Sequence, residues 1–513
     1  MTQRSSILIW GFTIFAFGGA GYFLTEKTSS IKLFFLISVV IFLVSFLFAE
    51  RLMGQQGEPS QSAPTPSSFS KNEWICLIYT FIIALGLRWI VITFNSHSYD
   101  YWRHYTLIRN IQEGHGFVGF ASQPYLYLPP LWFYLASFLP TEDPRPLSIL
   151  IGALTTIPIF LITKRLIGKH AALISALLWA CLGLAIRNST SSGGEPLVTL
   201  LVMTGWWLFL TKNRLLCLFG SFLFGLAVLS RYEALFLFPV VLFYMRKNLL
   251  DSLVFFLPVI WLWWRNAGII SQHEFIFFCD GIATRSDQYN WLSTLFPYLH
   301  PDVDAAWKLD HRPFAWKPEW WDTQILLLIG GFLFSKKKGL YIFSYPLLLY
   351  LFSPTLGRLK YLYATLPALI IGFSASVSHL KKSFRIGLTI LVLFFSAKQI
   401  GFIKMNNEYV QVIKNLPLEA ARYMVSSSYD AFPDTIQYLR PDKMFVGLPP
   451  EPKDITKIID HYQIDWIILS QGKKPMACPK TVEFISNSPL FIKVREVPLQ
   501  GEFHTLVFYK RIH

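Results

Sequence analysis

The sequence predicts a mainly α-helical polytopic membrane protein, with about thirteen transmembrane helices and a small C-terminal α/β domain outside the membrane. Three observations carry this. Hydrophobic residues make up 53% of the 513 and charged ones only 15%, against roughly 25% charged in a soluble domain, which argues against a soluble enzyme. Apolar stretches of about the 20 residues needed to cross a bilayer follow one another from Ile7 to Ile400. After Gly401 the chain changes to short β-rich runs, YMVSSS, KMFVG, DWIILS, FIKVREV and TLVFYKR, separated by turn residues and by the helix-like DITKIIDHY.

The net charge of +15 would suit a nucleic-acid partner if it were concentrated on a soluble face. It is not: residues 401–513 hold 14 basic and 12 acidic side chains, leaving +13 in the apolar remainder. Membrane lipids, not nucleic acid, are the expected surroundings.

The thirteen expected spans lie at approximately 7–24, 31–49, 74–94, 146–163, 171–186, 196–211, 215–230, 234–245, 249–264, 323–334, 339–353, 362–378 and 386–400. Residues 1–50 form an N-terminal transmembrane hairpin; its first stretch is long, follows only Arg4 and lacks a small-x-small cleavage site, so it reads as an anchor and not a signal peptide. Residues 51–73, with the Pro-, Ser- and Gln-rich GQQGEPSQSAPTPSSFS, read as a flexible cytoplasmic linker. Residues 74–400 form the main bundle, with outer loops at 95–145 and 265–322, and residues 401–513 form the extracytoplasmic α/β domain.

Sidedness follows from the short loops, because Lys and Arg in them stay on the cytoplasmic side. Every second loop is basic: Lys164, Arg165 and Lys169; Lys212 and Arg214; Arg246 and Lys247; Lys336 to Lys338; and Lys381, Lys382 and Arg385. The intervening loops and the tail then face outward. Of the five cysteines, Cys76, Cys181 and Cys217 lie in helices and read as small buried thiols. Cys279 and Cys478 both face outward and could pair, although no spacing signature links them.

Chemistry-bearing residues gather at the outer ends of the helices. Asp100 opens the first outer loop, with His97, Arg103 and His104 beside it and an amphipathic segment, Tyr101 to Gln112, following. A carboxylate there can take a proton from a nucleophile or bind a divalent cation, and neighbouring imidazoles could join the coordination. The plainer alternative is a helix N-cap or a solvated loop acid. Glu195 follows a Gly pair and precedes Pro196 at the start of a helix, where it also favours the helix dipole. Arg231 and Glu233 lie on the next outer turn, and Arg358 and Lys360 on a later one. Outer basic residues run against the topology rule, so an anionic headgroup is their expected partner; the alternative is snorkelling at the interface.

In order, DYWRHYTLIRNIQEGHGF, YLPPLWFYL, RPLSILIGALTTIPIFLITKRLIGKHAALISALLWA, GGEPL, FGLAVLSRYEALFLFP and GRLKYLYATLPAL resemble the GT-C superfamily of integral-membrane glycosyltransferases. The resemblance covers approximately residues 74–400 and is to the dolichyl-phosphate-mannose protein mannosyltransferase and bacterial lipid A aminoarabinose transferase type. It implies a GT-C catalytic bundle in a bacterial inner (plasma) membrane, with its active site on the periplasmic face. A sugar would move from a polyprenyl-phosphate donor, with inversion, to a lipid, glycan or protein acceptor. Carried over, Asp100 and Glu195 are the catalytic acids, and Arg358, Lys360 and Arg231 bind the donor phosphate. A divalent metal (Mg, Mn or Zn) would have Asp100, Glu195, His97 and His104 as its candidate ligands. Three features depart from the pattern: Glu195 stands where many relatives have Asp, Leu128 where many have Lys, and the hairpin at 7–49 is additional.

Two alternatives share parts of this pattern. A polyprenyl-lipid flippase would place ionisable groups near the bilayer midplane, whereas charges here cluster at helix ends and Arg88 lies about 9 Å from the outer end of its helix. An oligosaccharyltransferase-like enzyme would carry a WWD motif in its soluble domain; Trp320, Trp321 and Asp322 instead precede a span and read as an interfacial aromatic belt.

Overall fold

The computed structural model describes residues 39–44, 47, 70–94, 99–278, 282–297, 300–302, 366–378, 380–397, 407–426, 432–471, 478–498 and 505–512. The spans expected at 7–24, 323–334 and 339–353 lie outside these residues, as do Trp320, Trp321, Asp322 and Cys279. Two compact units emerge: one of Met1–Asn95, Arg145–Leu257 and Pro313–Phe402, the other of Ser96–Pro144, Pro258–Arg312 and Ile403–His513.

The first unit is helical. Its Lys71–Phe94 helix starts where SKNE allows a reciprocal cap: the Ser70 N–H donates to Glu73 Oε2 at 2.9 Å and the Glu73 N–H to Ser70 Oγ at 3.3 Å. Glu73 also accepts from Lys164 Nζ at 2.9 Å, so the cap doubles as an ion pair. The stretch expected as one helix at 146–163 is Arg145–Leu154 followed by Thr156–Leu166, and the one at 171–186 is Lys169–Cys181 and Gly183–Ser189, bent by 59°. Helices Glu195–Leu210 and Arg214–Val228 form an antiparallel hairpin. Their backbones come close at Gly205 and Gly220, where a Cβ on either would lie 2.9 Å from the other's carbonyl oxygen, the small-residue contact expected between membrane helices.

Among the described residues three helices are long and apolar enough to cross a membrane, Lys71–Ile92, Arg145–Leu166 and Leu249–Gln272, and a fourth if the bent pair counts as one span. Exposed side chains recur at helical spacing on the first, at Trp74, Ile78, Ile82 and Trp89, and on the third, at Leu253, Leu257, Ile260 and Trp264. Apolar stripes facing outward are what a lipid solvent calls for.

The second unit holds a five-stranded sheet. With β1 at Phe275–Phe278 and β2 at Ile282–Arg285 forming a separate antiparallel hairpin, the sheet consists of β3 (Arg422–Ser426), β4 (Met444–Gly447), β5 (Trp466–Gln471), β6 (Phe491–Pro498) and β7 (Thr505–Arg511) in the order β4-β3-β5-β7-β6. The β3 strand is parallel to β4 and β5, reached through helices Phe432–Leu439 and Ile455–Tyr462, while β7 is antiparallel to β5 and β6. Strands covered on both faces read as unbroken apolar runs, as YMV, MFV and WIIL do here.

Trp102, Tyr105, Phe120, Leu126 and the β1–β2 hairpin share one hydrophobic core with these strands. The hairpin docks by backbone, the Ala283 N–H donating to the Leu448 carbonyl at 2.8 Å. The helix expected to end at 264 continues as Phe256–Gln272. Its Arg265 does not break it, because the guanidinium donates to the Tyr125 carbonyl at 2.9 Å and lies over the Phe117 ring.

His300 is fully buried against Tyr289, and burial holds its imidazole down to about 4. The unfolded chain, with an ordinary value near 6.5, therefore binds more protons between those two values, so this contribution to stability is lost as pH falls from about 6.5 toward 4. Melting curves across that range should show a pH slope that flattens in His300→Gln.

Candidate active site

Two sets of predicted residues are placed, one in each unit. In the second, Asp100 lies in the first turn of the Tyr99–Gln112 helix; its side chain and the whole of His97 lie outside the described residues. Its neighbours are well defined. Arg103 Nη2 donates to Asp434 Oδ2 at 2.7 Å, with both side chains buried, and the guanidinium lies over the Tyr127 ring. His104 is buried with its ring 5.3 Å from Phe133.

In the first unit Glu195 begins its helix and Arg231 caps the turn after the returning helix, so the hairpin brings N-terminus and C-terminus to one end. Arg231 Nη1 lies 3.6 Å from Glu195 Oε1 and Nη2 lies 3.4 Å from Glu233 Oε1, all three side chains being largely buried. One cation thus stands between two carboxylates. Charges desolvated in an apolar bundle persist when paired, and the helix N-terminus adds partial positive charge beside Glu195.

The loop before Glu195 is shaped to receive its carboxylate. Ser148 Oγ donates to the Ser191 carbonyl at 2.7 Å, and Ser191 Oγ stands 3.4 Å from Glu195 Oε2. Gly193 leaves the space that the carboxylate fills: a Cβ there would lie 2.1 Å from Oε2.

Arg88 carries this loop indirectly, a role sequence reading missed. The helix break at Leu182 leaves backbone carbonyls without helical partners, and Arg88 donates from Nη1 to Ala180 O at 3.2 Å and from Nη2 to Trp179 O at 3.0 Å. It is completely buried, on the apolar Lys71–Phe94 helix. An arginine inside an apolar helix is itself the signal that could have found it. Trp179 Nε1 donates to the Gly152 carbonyl at 2.8 Å, while Gly152 faces Ser189 so closely that a Cβ would lie 2.3 Å from its Oγ.

Arg358 and Lys360 lie outside the described residues. Among the described residues no group of three or more His, Cys, Asp and Glu is placed to hold a metal ion, and Glu195 is engaged by Arg231. Cys478 is a free, buried thiol 3.6 Å from the Leu448 carbonyl, and burial first, then the charge of Asp302, holds its pKa up.

A family model described as dolichyl-phosphate-mannose-protein mannosyltransferase matches residues 126–264, the stretch that contains Glu195, Arg231 and Glu233. No curated protein sequence matches the chain. Among solved structures, the apo oligosaccharyltransferase of Archaeoglobus fulgidus is similar at a TM-score of 0.50 and 13% identity, over 77% of this chain and 69% of that one. The arabinofuranosyltransferase AftD from Mycobacteria is similar at a TM-score of 0.51 and 12% identity, over 86% of this chain and 42% of that one. At these identities the likeness to the two structures is one of fold.

The packing around the helix break yields a stability test. Gly152→Ala forces its new methyl against Ser189 and should cost about 1–3 kcal/mol, the usual range for overpacking, read as a lower melting temperature of the purified protein. Adding Ser189→Gly removes the clashing atoms and should recover most of the loss.

Proposed function

We propose that this chain, which matches the dolichyl-phosphate-mannose-protein mannosyltransferase model over residues 126–264, is a glycosyltransferase of the GT-C type that transfers a sugar from a polyprenyl-phosphate donor to a lipid, glycan or protein acceptor at the outer face of a bacterial inner membrane. The observation that carries the reading is the buried Glu195–Arg231–Glu233 constellation at one end of a helical hairpin, inside the matched segment. A lipid-linked donor accounts for chemistry seated among apolar helices.

In this reading the acceptor hydroxyl attacks the anomeric carbon from the face opposite the phosphate, the bond from that carbon to the phosphate oxygen breaks, and inversion follows. Asp100 takes the hydroxyl proton as the new bond forms. The departing phosphate needs fixed positive charge in a dry site, where such charge acts without reorganisation. Arg358 and Lys360 supply it. Arg231, shared by two carboxylates, orients Glu195 and contributes less free charge to the donor than the sequence alone suggests. The Asp100 side chain and His97, two of the candidate ligands of a divalent metal, lie outside the described residues, and no step is routed through a metal.

Transfer of label from a radiolabelled polyprenyl-phosphate sugar, with the lipid phosphate released, separates this reading from a flippase, which moves the sugar lipid intact. Asp100→Asn should abolish transfer while expression survives; near-native turnover would remove Asp100 from the chemistry. Glu195→Gln should lower turnover less severely. Gly193→Ala should match it, because the added methyl displaces the Glu195 carboxylate and leaves the backbone in place.

Donor dependence tests the phosphate site. A hydrogen bond to a charged group contributes about 1.5–3 kcal/mol, so Arg358→Ala should weaken apparent donor affinity roughly tenfold to a hundredfold. Arg358→Lys should weaken it more than Lys360→Arg, since only the guanidinium offers a planar fork to two phosphate oxygens. Unchanged donor KM in all three variants would move the phosphate site elsewhere.

A further inference from the structure

The helix bearing Asp100 is tied to a segment more than 300 residues later in the chain. Arg103, one turn after Asp100, makes its 2.7 Å ion pair with Asp434, whose side chain is 1% exposed. The Trp102 and Tyr438 ring centroids lie 4.6 Å apart. Arg109, two turns along, lies over the Tyr438 ring and donates to the Tyr438 carbonyl at 3.2 Å. The Tyr438 hydroxyl in turn donates to Glu142 at 2.5 Å.

These partners belong to one short helix, Phe432–Leu439, whose Phe432 and Ile436 are anchored in the core of the five-stranded sheet. The ring contacts and the Arg109 hydrogen bond hold the Tyr99–Gln112 helix along its length. The Arg103–Asp434 pair is different: it is directional, buried, and one turn from Asp100. A charge at that depth has no solvent to fall back on, so its geometry is enforced by the cost of breaking it.

We propose that Asp434 is a positioning residue for transfer: through Arg103 it holds the first turn of the Tyr99–Gln112 helix in the register at which Asp100 meets the acceptor hydroxyl. The C-terminal sheet domain then positions the helix that bears Asp100 and is not merely an appended module. The proposal rests on the reading that Asp100 takes the acceptor's proton. A displacement of about 1 Å in a reacting group can cost a hundredfold in rate, so the effect belongs in kcat and not in donor KM.

The test uses the full-length protein in detergent or nanodiscs, with polyprenyl-phosphate sugar as donor. Arg103→Met/Asp434→Leu replaces the buried pair by apolar side chains, an exchange that commonly preserves stability. Asp434→Glu keeps the charge and lengthens its arm. The expected result is a native melting temperature for the neutral pair with kcat down about tenfold or more and donor KM within about twofold, and a several-fold loss of kcat for Asp434→Glu. Native kcat in a folded neutral pair, or in Asp434→Glu should the neutral pair fail to fold, overturns the proposal. Asp100→Asn, assayed in parallel, separates the two failures. If it is inactive while the Asp434 variants turn over normally, only the positioning role falls; if it remains active, the reading of Asp100 falls first.

Discussion

A helix broken inside an apolar bundle must find partners for the carbonyls it releases, and in this protein Arg88 provides them. The break at Leu182 turns the chain from Lys169–Cys181 into Gly183–Ser189, and without donors the exposed carbonyls would be costly in a medium with no water to bind them. The guanidinium meets Trp179 O and Ala180 O, Ser396 Oγ accepts the Leu184 N–H at 2.9 Å, and the Trp179 indole reaches Gly152 O. The bend delivers the 190–194 loop to the start of the Glu195 helix. The acid's position is therefore a consequence of how backbone polarity is satisfied several turns away.

Pairing is the second theme. Lys164 meets Glu73, Arg214 meets Asp251 through two hydrogen bonds, Arg231 stands between Glu195 and Glu233, and Arg103 meets Asp434. Among the described residues these charges meet a charge of opposite sign, while the buried Arg88 is held by backbone carbonyls, since an unsatisfied buried ion is expensive. Under the proposed function, a site that receives an anionic phosphate needs positive charge not already neutralised, which counts against Arg231, engaged by two carboxylates.

In the second unit, the two long connections between helices are not loose. The segment Ser96–Pro144 supplies Trp102, Tyr105, Phe120 and Leu126 to the core, and Pro258–Arg312 supplies the β1–β2 hairpin, both packed with the sheet of the tail. Residues far apart in sequence thus contribute to one hydrophobic core.

The features legible from sequence are those set by local physics. GGEPL predicts a helix beginning at Glu195 and it does; the runs YMVSSS, KMFVG, DWIILS, FIKVREV and TLVFYKR fall on β3 to β7. Each depends on neighbours within a few residues, so composition and periodicity suffice. The bend at Leu182, the continuation of the helix past Arg265 and the partners of Arg88, Arg103 and Arg231 depend on which segments pack together. A single sequence states that Arg103 and Asp434 each carry a charge, but only the packed tertiary structure decides that they neutralise one another across 331 residues of chain, because that choice is made by desolvation and distance in three dimensions.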